Sequence, residues 1–475
     1  MNINETITIR PNARQYQWQQ VEFFGFIHFG INTMNDVEWG DGSESPSVFN
    51  PSKLDCHQWV KTFKDAGMKG AILTCKHHDG FCLWPSQFTQ HSVASSPWKN
   101  GVGDVVAEFS QACHDLDMKF GVYLSPWDRA ESTYGQGKAY DDYFVHQIEE
   151  LLTNYGDVFE VWFDGANGEG PNGKVQVYDW QRYYDTIHRL QPKAVIAISG
   201  PDVRWVGNEA GKTRDNEWSV VPIQYSNPNY TADHSQQVDD GTFPLHFDAT
   251  DQDLASSERL ANYTGELIWY PAEVDTSIRP GWFYHENQDE QVRSAEELFD
   301  IYKGAVGGNC ALILNVPPNK EGLFAAQDIQ NLQALGKKIK QLKHLRPKGD
   351  FKYYVSSNQL GLNKDTMQTQ RLTDSYWQSA VADETPSITL RFEEQQAINT
   401  LILQEHILAS QRVERFTIYY RKNNQKQQLL SSGTIGYQKI VEFDTLYTDE
   451  IWIEFNEFRG DTVCINTGIA GYLER

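Results

Sequence analysis

Val158-Phe-Glu-Val-Trp-Phe-Asp-Gly-Ala166 is a short apolar run that stops at a carboxylate followed by glycine. Its length and its β-branched and aromatic content read as a buried strand. Alternation places Glu160, Trp162 and Asp164 on one face and Phe159, Val161 and Phe163 on the other. The all-apolar face would pack under helices. The other face carries an indole and ends in an acid. A carboxylate at the C-terminal tip of a buried strand, beside a Trp and a Gly, suits a nucleophile. From this strand alone, a cap or a chain turn is the better reading of Asp164. The rest of the chain reverses that order.

Working outward, strand and helix patterns alternate. Strands are expected over Phe24–Gly30, Lys69–His78, Lys119–Pro126, Phe159–Asp164 and Ala194–Gly200. Helices are expected over Asp55–Ala66, Asp104–Asp117, Asp141–Asn154 and Val177–Leu190. The pattern blurs between Asp202 and Gly265, then resumes with strand Glu266–Ala272, helix Asp289–Val306, strand Ala311–Val316 and helix Ala326–Leu345. This β-α order predicts an α/β chain built on a (β/α)8-like (TIM) barrel with a weak or distorted sixth position.

After Lys348 the texture changes. Short alternating runs (Ser387–Phe392, Thr400–Gln404, Phe416–Arg421, Lys439–Phe443, Ile451–Phe455) follow one another with no helix between them. They predict a β-sandwich of jelly-roll type. The expected division is a barrel over 1–347 and a sandwich over 348–475.

Composition narrows the function classes. The 475 residues carry 41 Lys+Arg against 64 Asp+Glu, a net charge of -23 that disfavours nucleic acid and anionic membrane surfaces. No apolar run approaches a membrane span. Aromatic side chains make up 13% of the chain, and flat rings suit the C–H faces of pyranoses. The six cysteines are scattered without metal-like spacing and read as reduced thiols. With no signal peptide visible, a cytoplasmic protein is expected, or a secreted or periplasmic one if a leader precedes Met1.

Barrel active sites form at the C-terminal ends of the strands. Those ends hold His28-Phe-Gly30, Lys76-His-His-Asp-Gly80, Tyr123-Leu-Ser-Pro-Trp-Asp128, Asp164-Gly165, and Glu273 followed by Arg279-Pro-Gly-Trp282. Polar and aromatic groups at five strand ends are hard to explain as turn chemistry. His28, His77 and His78 could bond sugar hydroxyls, fill core positions or bind a metal. The metal reading is weak, because adjacent His77 and His78 point to opposite faces of an extended segment. Trp39, Trp162 and Trp282 could stack on a sugar, although each taken singly is a better core residue. A glycosidase needs a second carboxyl, and the loop Trp205-Val-Gly-Asn-Glu-Ala-Gly211 offers Glu209. Asp128, Asp202, Glu217 and Glu273 are rivals that sequence does not rank, and by composition alone Glu209 reads as a solvated loop acid.

The strings His28-Phe-Gly, Glu38-Trp-Gly, Lys76-His-His-Asp-Gly-Phe81, Trp162-Phe-Asp-Gly165 and Gly307-Gly-Asn-Cys-Ala-Leu-Ile-Leu-Asn315 together resemble glycoside hydrolase family 29, the alpha-L-fucosidases. Tyr123–Arg129, Val206–Gly211 and Ser277–Tyr284 resemble the subgroup specific for alpha-1,3/1,4-linked fucose. The resemblance covers roughly residues 15–345, and the tail is similar to the carbohydrate-binding-module-like domain that follows such barrels. It implies a retaining mechanism with Asp164 as nucleophile and Glu209 as acid/base. It places His28, Glu38, Trp39, His77, His78, Tyr123, Trp162, Arg279 and Trp282 around a fucosylated oligosaccharide or glycoconjugate. It implies no metal and no cofactor. Other classes compatible with these residues are a non-catalytic lectin-like binder of fucosylated glycans, a fucosidase of 1,2 or 1,6 linkage, and a metal-dependent hydrolase.

Overall fold

Parallel strands follow the apolar runs of the first two thirds of the chain. The computed structural model describes residues 3–233, 252–358 and 376–474; the loop-rich stretch expected between Asp202 and Gly265 lies partly outside them. The barrel strands are β1 (Phe23–Ile27), β2 (Gly70–Lys76), β3 (Lys119–Leu124), β4 (Val158–Phe163), β5 (Val195–Ile198), β6 (Arg204–Trp205), β7 (Ala272–Ser277) and β8 (Cys310–Asn315). Neighbours in sequence are neighbours in the sheet, and β8 returns to β1. A single parallel bridge between Ala197 and Val203 joins β5 to β6 and closes the ring. This is the expected (β/α)8 barrel, with a sixth strand only two residues long.

The helices α1 (Cys56–Asp65), α2 (Val105–Asp115), α3 (Lys138–Asn154), α4 (Trp180–Leu190), α5 (Ala295–Val306) and α6 (Ala326–Lys343) cover the barrel. Asp55, Asp104, Asp179 and Ser294 each cap a helix by accepting the backbone N–H three residues on. The caps at Asp179 and Ser294 explain why α4 and α5 start later than hydrophobic periodicity suggests. Gly25 admits α1 against β1, since a Cβ there would lie 2.4 Å from the Phe63 ring.

Two expectations need correction. Phe159 does not share a face with Val161 and Phe163. A register shift between β3 and β4 inserts one extra residue, a bulge that turns Phe159 inward against Phe24 with ring centroids 5.5 Å apart. Glu160, Trp162 and Asp164 keep the expected alternation. The seventh barrel strand is also not Glu266–Ala272. Leu267–Trp269 pairs antiparallel with Val220–Pro222 in a ribbon outside the barrel, and β7 begins at Ala272. Its inward positions are Glu273, Asp275 and Ser277, polar groups that conceal a strand from a hydrophobic pattern.

Beyond α6 the chain forms an antiparallel sandwich. Its two longest strands, Ser387–Glu405 and Lys439–Phe458, run side by side and shift register after Arg391 and after Ile398. Before the shift Ser387–Glu405 pairs with Phe351–Val355, and after it with Cys464–Gly471. The two halves thereby serve different layers, with Ile388, Leu390, Leu401, Leu403, Ile451 and Ile453 buried between them. The Gly307-Gly-Asn309 string braces this unit against the barrel. Asn309, at φ 66°, accepts the Tyr437 N–H at 2.7 Å and donates to Glu217 O at 2.9 Å. All six cysteines are free and buried.

Candidate active site

Asp164 follows β4 directly and emerges at the C-terminal rim. Its Oδ2 accepts the Tyr123 phenol at 3.0 Å, and its Oδ1 accepts the Ala166 N–H at 2.7 Å. His78 Nε2 lies 3.8 Å from Oδ2. The carboxylate is therefore aimed by two donors while its side chain stays 23% exposed. Burial, and the charge of Asp164 beside it, push the Tyr123 phenol well above its ordinary range, so it remains a donor.

The three expected imidazoles converge here. His77 lies 4.1 Å from His78 and 5.6 Å from His28, centroid to centroid, and stacks on Tyr123 at 5.8 Å. Burial lowers the pKa of all three, that of His28 to about 4, so they stand neutral near pH 7. Their partners fix the tautomers. The Ser125 hydroxyl is committed to Trp127 O at 2.7 Å, so it accepts from His78 Nδ1–H at 2.7 Å. Asn315 donates through Nδ2 to Ser277 Oγ and Trp282 O, so its Oδ1 accepts from His28 Nδ1–H at 2.9 Å. Both rings keep Nε2 as an acceptor. Asn32 donates to His77 Nδ1 at 3.4 Å, which leaves His77 Nε2–H a donor. Two acceptors and one donor suit a ligand rich in hydroxyls.

Aromatic groups wall this hollow. Trp162 stacks on Tyr123 at 5.3 Å and donates its indole N–H to Glu273 Oε1 at 2.7 Å. Trp282 lies 5.1 Å from His28 and 6.3 Å from Phe26. Trp39, 45% exposed, stands edge-on to His78 and to Trp127 at the mouth. Glu38 ties the Trp282 loop down, accepting from the N–H of Trp282 at 2.9 Å and from His285 Nε2 at 2.7 Å. Asp36 holds the other nitrogen of His285, and the two acids raise that imidazole's pKa, Glu38 most.

Arg279 is a correction. Its guanidinium is wholly buried, bonded twice to Asp328 at 2.9 and 3.0 Å and once to Asp289 at 2.7 Å. Those bonds commit three of its N–H groups to anchoring the segment that carries Trp282, and its side chain has no exposed surface to offer a ligand. Glu209 sits half-buried on the loop after β6, at the same rim as Asp164, between Gly207 (φ 104°) and Gly211 (φ 74°). Sequence reasoning passed over Asn315, Ser125, Asn32, Trp127, His285 and Phe283, whose ring stands edge-on to His28 and His77 at 5.4 and 5.0 Å. Asn315, Ser125 and Trp127 stand in strings that end barrel strands, but the roles of Asn315 and Ser125 depend on tautomers that only the geometry reveals. Among the described residues no group of three or more His, Cys, Asp or Glu is arranged to hold a metal.

The alpha-L-fucosidase family model matches residues 10–343. The chain belongs to the alpha-L-fucosidase family, glycoside hydrolase family 29. It is 38% identical to alpha-L-fucosidase 1 of Arabidopsis thaliana, over 91% of this chain and 81% of the relative. A Bacteroides ovatus protein solved as a candidate alpha-L-fucosidase superposes with a TM-score of 0.85 at 44% identity, covering 100% of this chain and 76% of the other. A Ruminococcus gnavus family 29 fucosidase solved with fucose gives 0.84 at 28% identity, covering 98% and 95%. Family membership establishes a glycoside hydrolase of the alpha-L-fucosidase type, and the hollow around Asp164 is where the strand-end motifs meet.

Proposed function

We propose that the protein is a retaining exo-alpha-L-fucosidase that removes alpha-1,3- and alpha-1,4-linked fucose from branched glycans such as Lewis a, Lewis x and 3-fucosyllactose. The observation that carries the reading is the Asp164 carboxylate, oriented by Tyr123 and partly open to a hollow of imidazoles and indoles. Asp164 attacks the anomeric carbon as the glycosidic C–O bond breaks. Glu209 gives its proton to the leaving oxygen. A fucosyl ester forms on Asp164. Glu209 then takes a proton from water, the water oxygen bonds the same carbon, and the ester breaks to free Asp164. The carboxyls of such a pair lie about 5–5.5 Å apart.

The rivals of Glu209 support its role by lying buried away from solvent. Asp128 is buried against Lys76 at 2.8 Å, and Asp202 is held by Arg14 and His188. Glu217 is buried between Arg204 and Arg214, and Glu273 lies inside the barrel on Trp162. Each is almost wholly buried, whereas Glu209 stands half-buried on the rim. His28 and His78 accept sugar hydroxyls and His77 donates to one. Trp162 and Trp282 face the ring and its methyl group. A galactose-like rival would leave its extra hydroxyl unpaired against that wall. The linkage reading rests on the strings Tyr123–Arg129, Val206–Gly211 and Ser277–Tyr284. The same reading divides the chain into a catalytic unit over 1–347 and a sandwich over 348–475, in a cytoplasmic setting.

Product analysis on 2'-fucosyllactose, 3-fucosyllactose, Lewis a, Lewis x and a 1,6-fucosylated GlcNAc tests the linkage. Cleavage of 3-fucosyllactose and both Lewis trisaccharides, with the 1,2 and 1,6 substrates spared, is expected; preference for either spared linkage removes the subgroup reading. Glu209→Ala should lose most activity with poor leaving groups, and azide, which needs no base, should restore turnover of an activated aryl fucoside.

A further inference from the structure

Three indoles of the barrel donate to three buried carboxyls, two of them on one strand. Trp162 Nε1–H bonds Glu273 Oε1 at 2.7 Å, and Trp205 Nε1–H bonds Asp275 Oδ1 at 2.6 Å. Trp18 Nε1–H bonds Glu160 Oε2 at 2.7 Å. Glu273 and Asp275 stand two apart on β7 and turn inward, beside Ala311 and Ile313 of the interior cluster. Trp162 lies on β4 two residues before Asp164, and Trp205 precedes Glu209 by four, at the root of its loop. We propose that Glu273 and Asp275 are positioning residues, and that β7 is the ruler fixing the nucleophile-bearing strand relative to the loop that bears the acid/base. The inference rests on the roles assigned above to Asp164 and Glu209.

The spacing of the ruler is covalent. Residues two apart on a strand are separated by about 6.6 Å along it, and each carboxyl holds one indole by the only polar atom that ring has. Burying acids inside a barrel is costly, so an apolar interior would be the cheaper core. Glu160 Oε1 and Glu273 Oε2 are buried without a donor, and burial raises both carboxyls, Glu273 further through the charge of Glu160. Burial likewise raises Asp275 to about 8, so it serves as a neutral acceptor near pH 7.

The two holds should separate kinetically. In Asp275→Leu the Trp205 N–H loses its acceptor and the acid/base loop loosens. The kcat/KM of a methyl or oligosaccharide fucoside should fall about a hundredfold. The kcat/KM of a dinitrophenyl fucoside, whose leaving group departs without a proton, should fall no more than about threefold. Glu273→Leu should slow both substrates alike, through Trp162, Tyr123 and Asp164. Asp275→Asn and Glu273→Gln, which keep an oxygen acceptor, should restore most of the rate. If a leucine variant fails to fold, Trp205→Phe removes the same bond from the other side and must show the leaving-group split. Equal losses on both substrates for the Asp275 or Trp205 variants, or failure of the amides to rescue, overturn the ruler. Asp164→Ala measured alongside tells the failures apart. If it turns over normally, the site reading falls and the ruler with it; if it is inactive and the split is missing, only the ruler falls.

Discussion

The phenol of Tyr123 donates to Asp164 Oδ2 at 3.0 Å, from the strand adjacent to the one that presents the carboxylate. That bond decides which oxygen points into the hollow. Tyr123→Phe keeps the ring stacked on Trp162 and removes the donor. We expect kcat on an aryl fucoside to fall about tenfold, with the circular dichroism spectrum unchanged. An unaltered kcat would mean that the carboxylate is aimed by something else.

Neutral buried imidazoles make stability depend on pH. His28 titrates at about 4 in the fold against an ordinary 6.5. Between those values the unfolded chain takes up a proton that the folded chain refuses. The contribution is intact above 6.5 and is lost as pH falls toward 4. His28→Gln cannot titrate, so its stability relative to the parent should improve by up to about 3 kcal/mol between pH 7 and pH 4. Paired urea unfolding curves at the two pH values measure this, and a pH-independent difference would contradict it.

Arg279 and Asp328 form a buried, doubly bonded pair. Asp328→Ala strands the guanidinium in the interior and should destabilise the fold by about 3–5 kcal/mol. Since that pair anchors the Trp282 segment, KM for a fucoside should rise as well. A loss below about 1 kcal/mol in denaturant unfolding would show that Asp289 and water suffice.

Trp39 stands at the mouth with nearly half of its surface open. Trp39→Ala should raise KM several-fold, leave kcat within about twofold and barely move Tm, because little core packing is lost. Steady-state kinetics and a melting curve decide it; a collapse of Tm would mark Trp39 as a structural residue.

The barrel was legible because its outward strand positions are apolar and its helices carry Asp or Ser caps. β7 was not, because its inward face is Glu273, Asp275 and Ser277, which break a hydrophobic run. Phe159 went astray because a bulge adds a residue that alternation cannot foresee. Asp164, His28, His77, His78, Tyr123 and Trp282 could be found as strand-end or near-end groups. Arg279 misled because sequence proximity to Trp282 says nothing of where a long side chain turns, and Asp328, its partner, is 49 residues away. Asn315 and Ser125 act through the imidazoles, and a tautomer has no sequence signature.

The central claim is that Asp164 carries the sugar between the two halves of the reaction. The direct measurement is peptide mass mapping after reaction with a 2-fluoro-fucosyl fluoride, whose ester intermediate breaks down slowly. We expect one fluorofucosyl adduct, on the peptide containing Val158–Ala166 and localised to Asp164. An adduct on any other carboxyl, or none while the reagent is still consumed, would contradict the account.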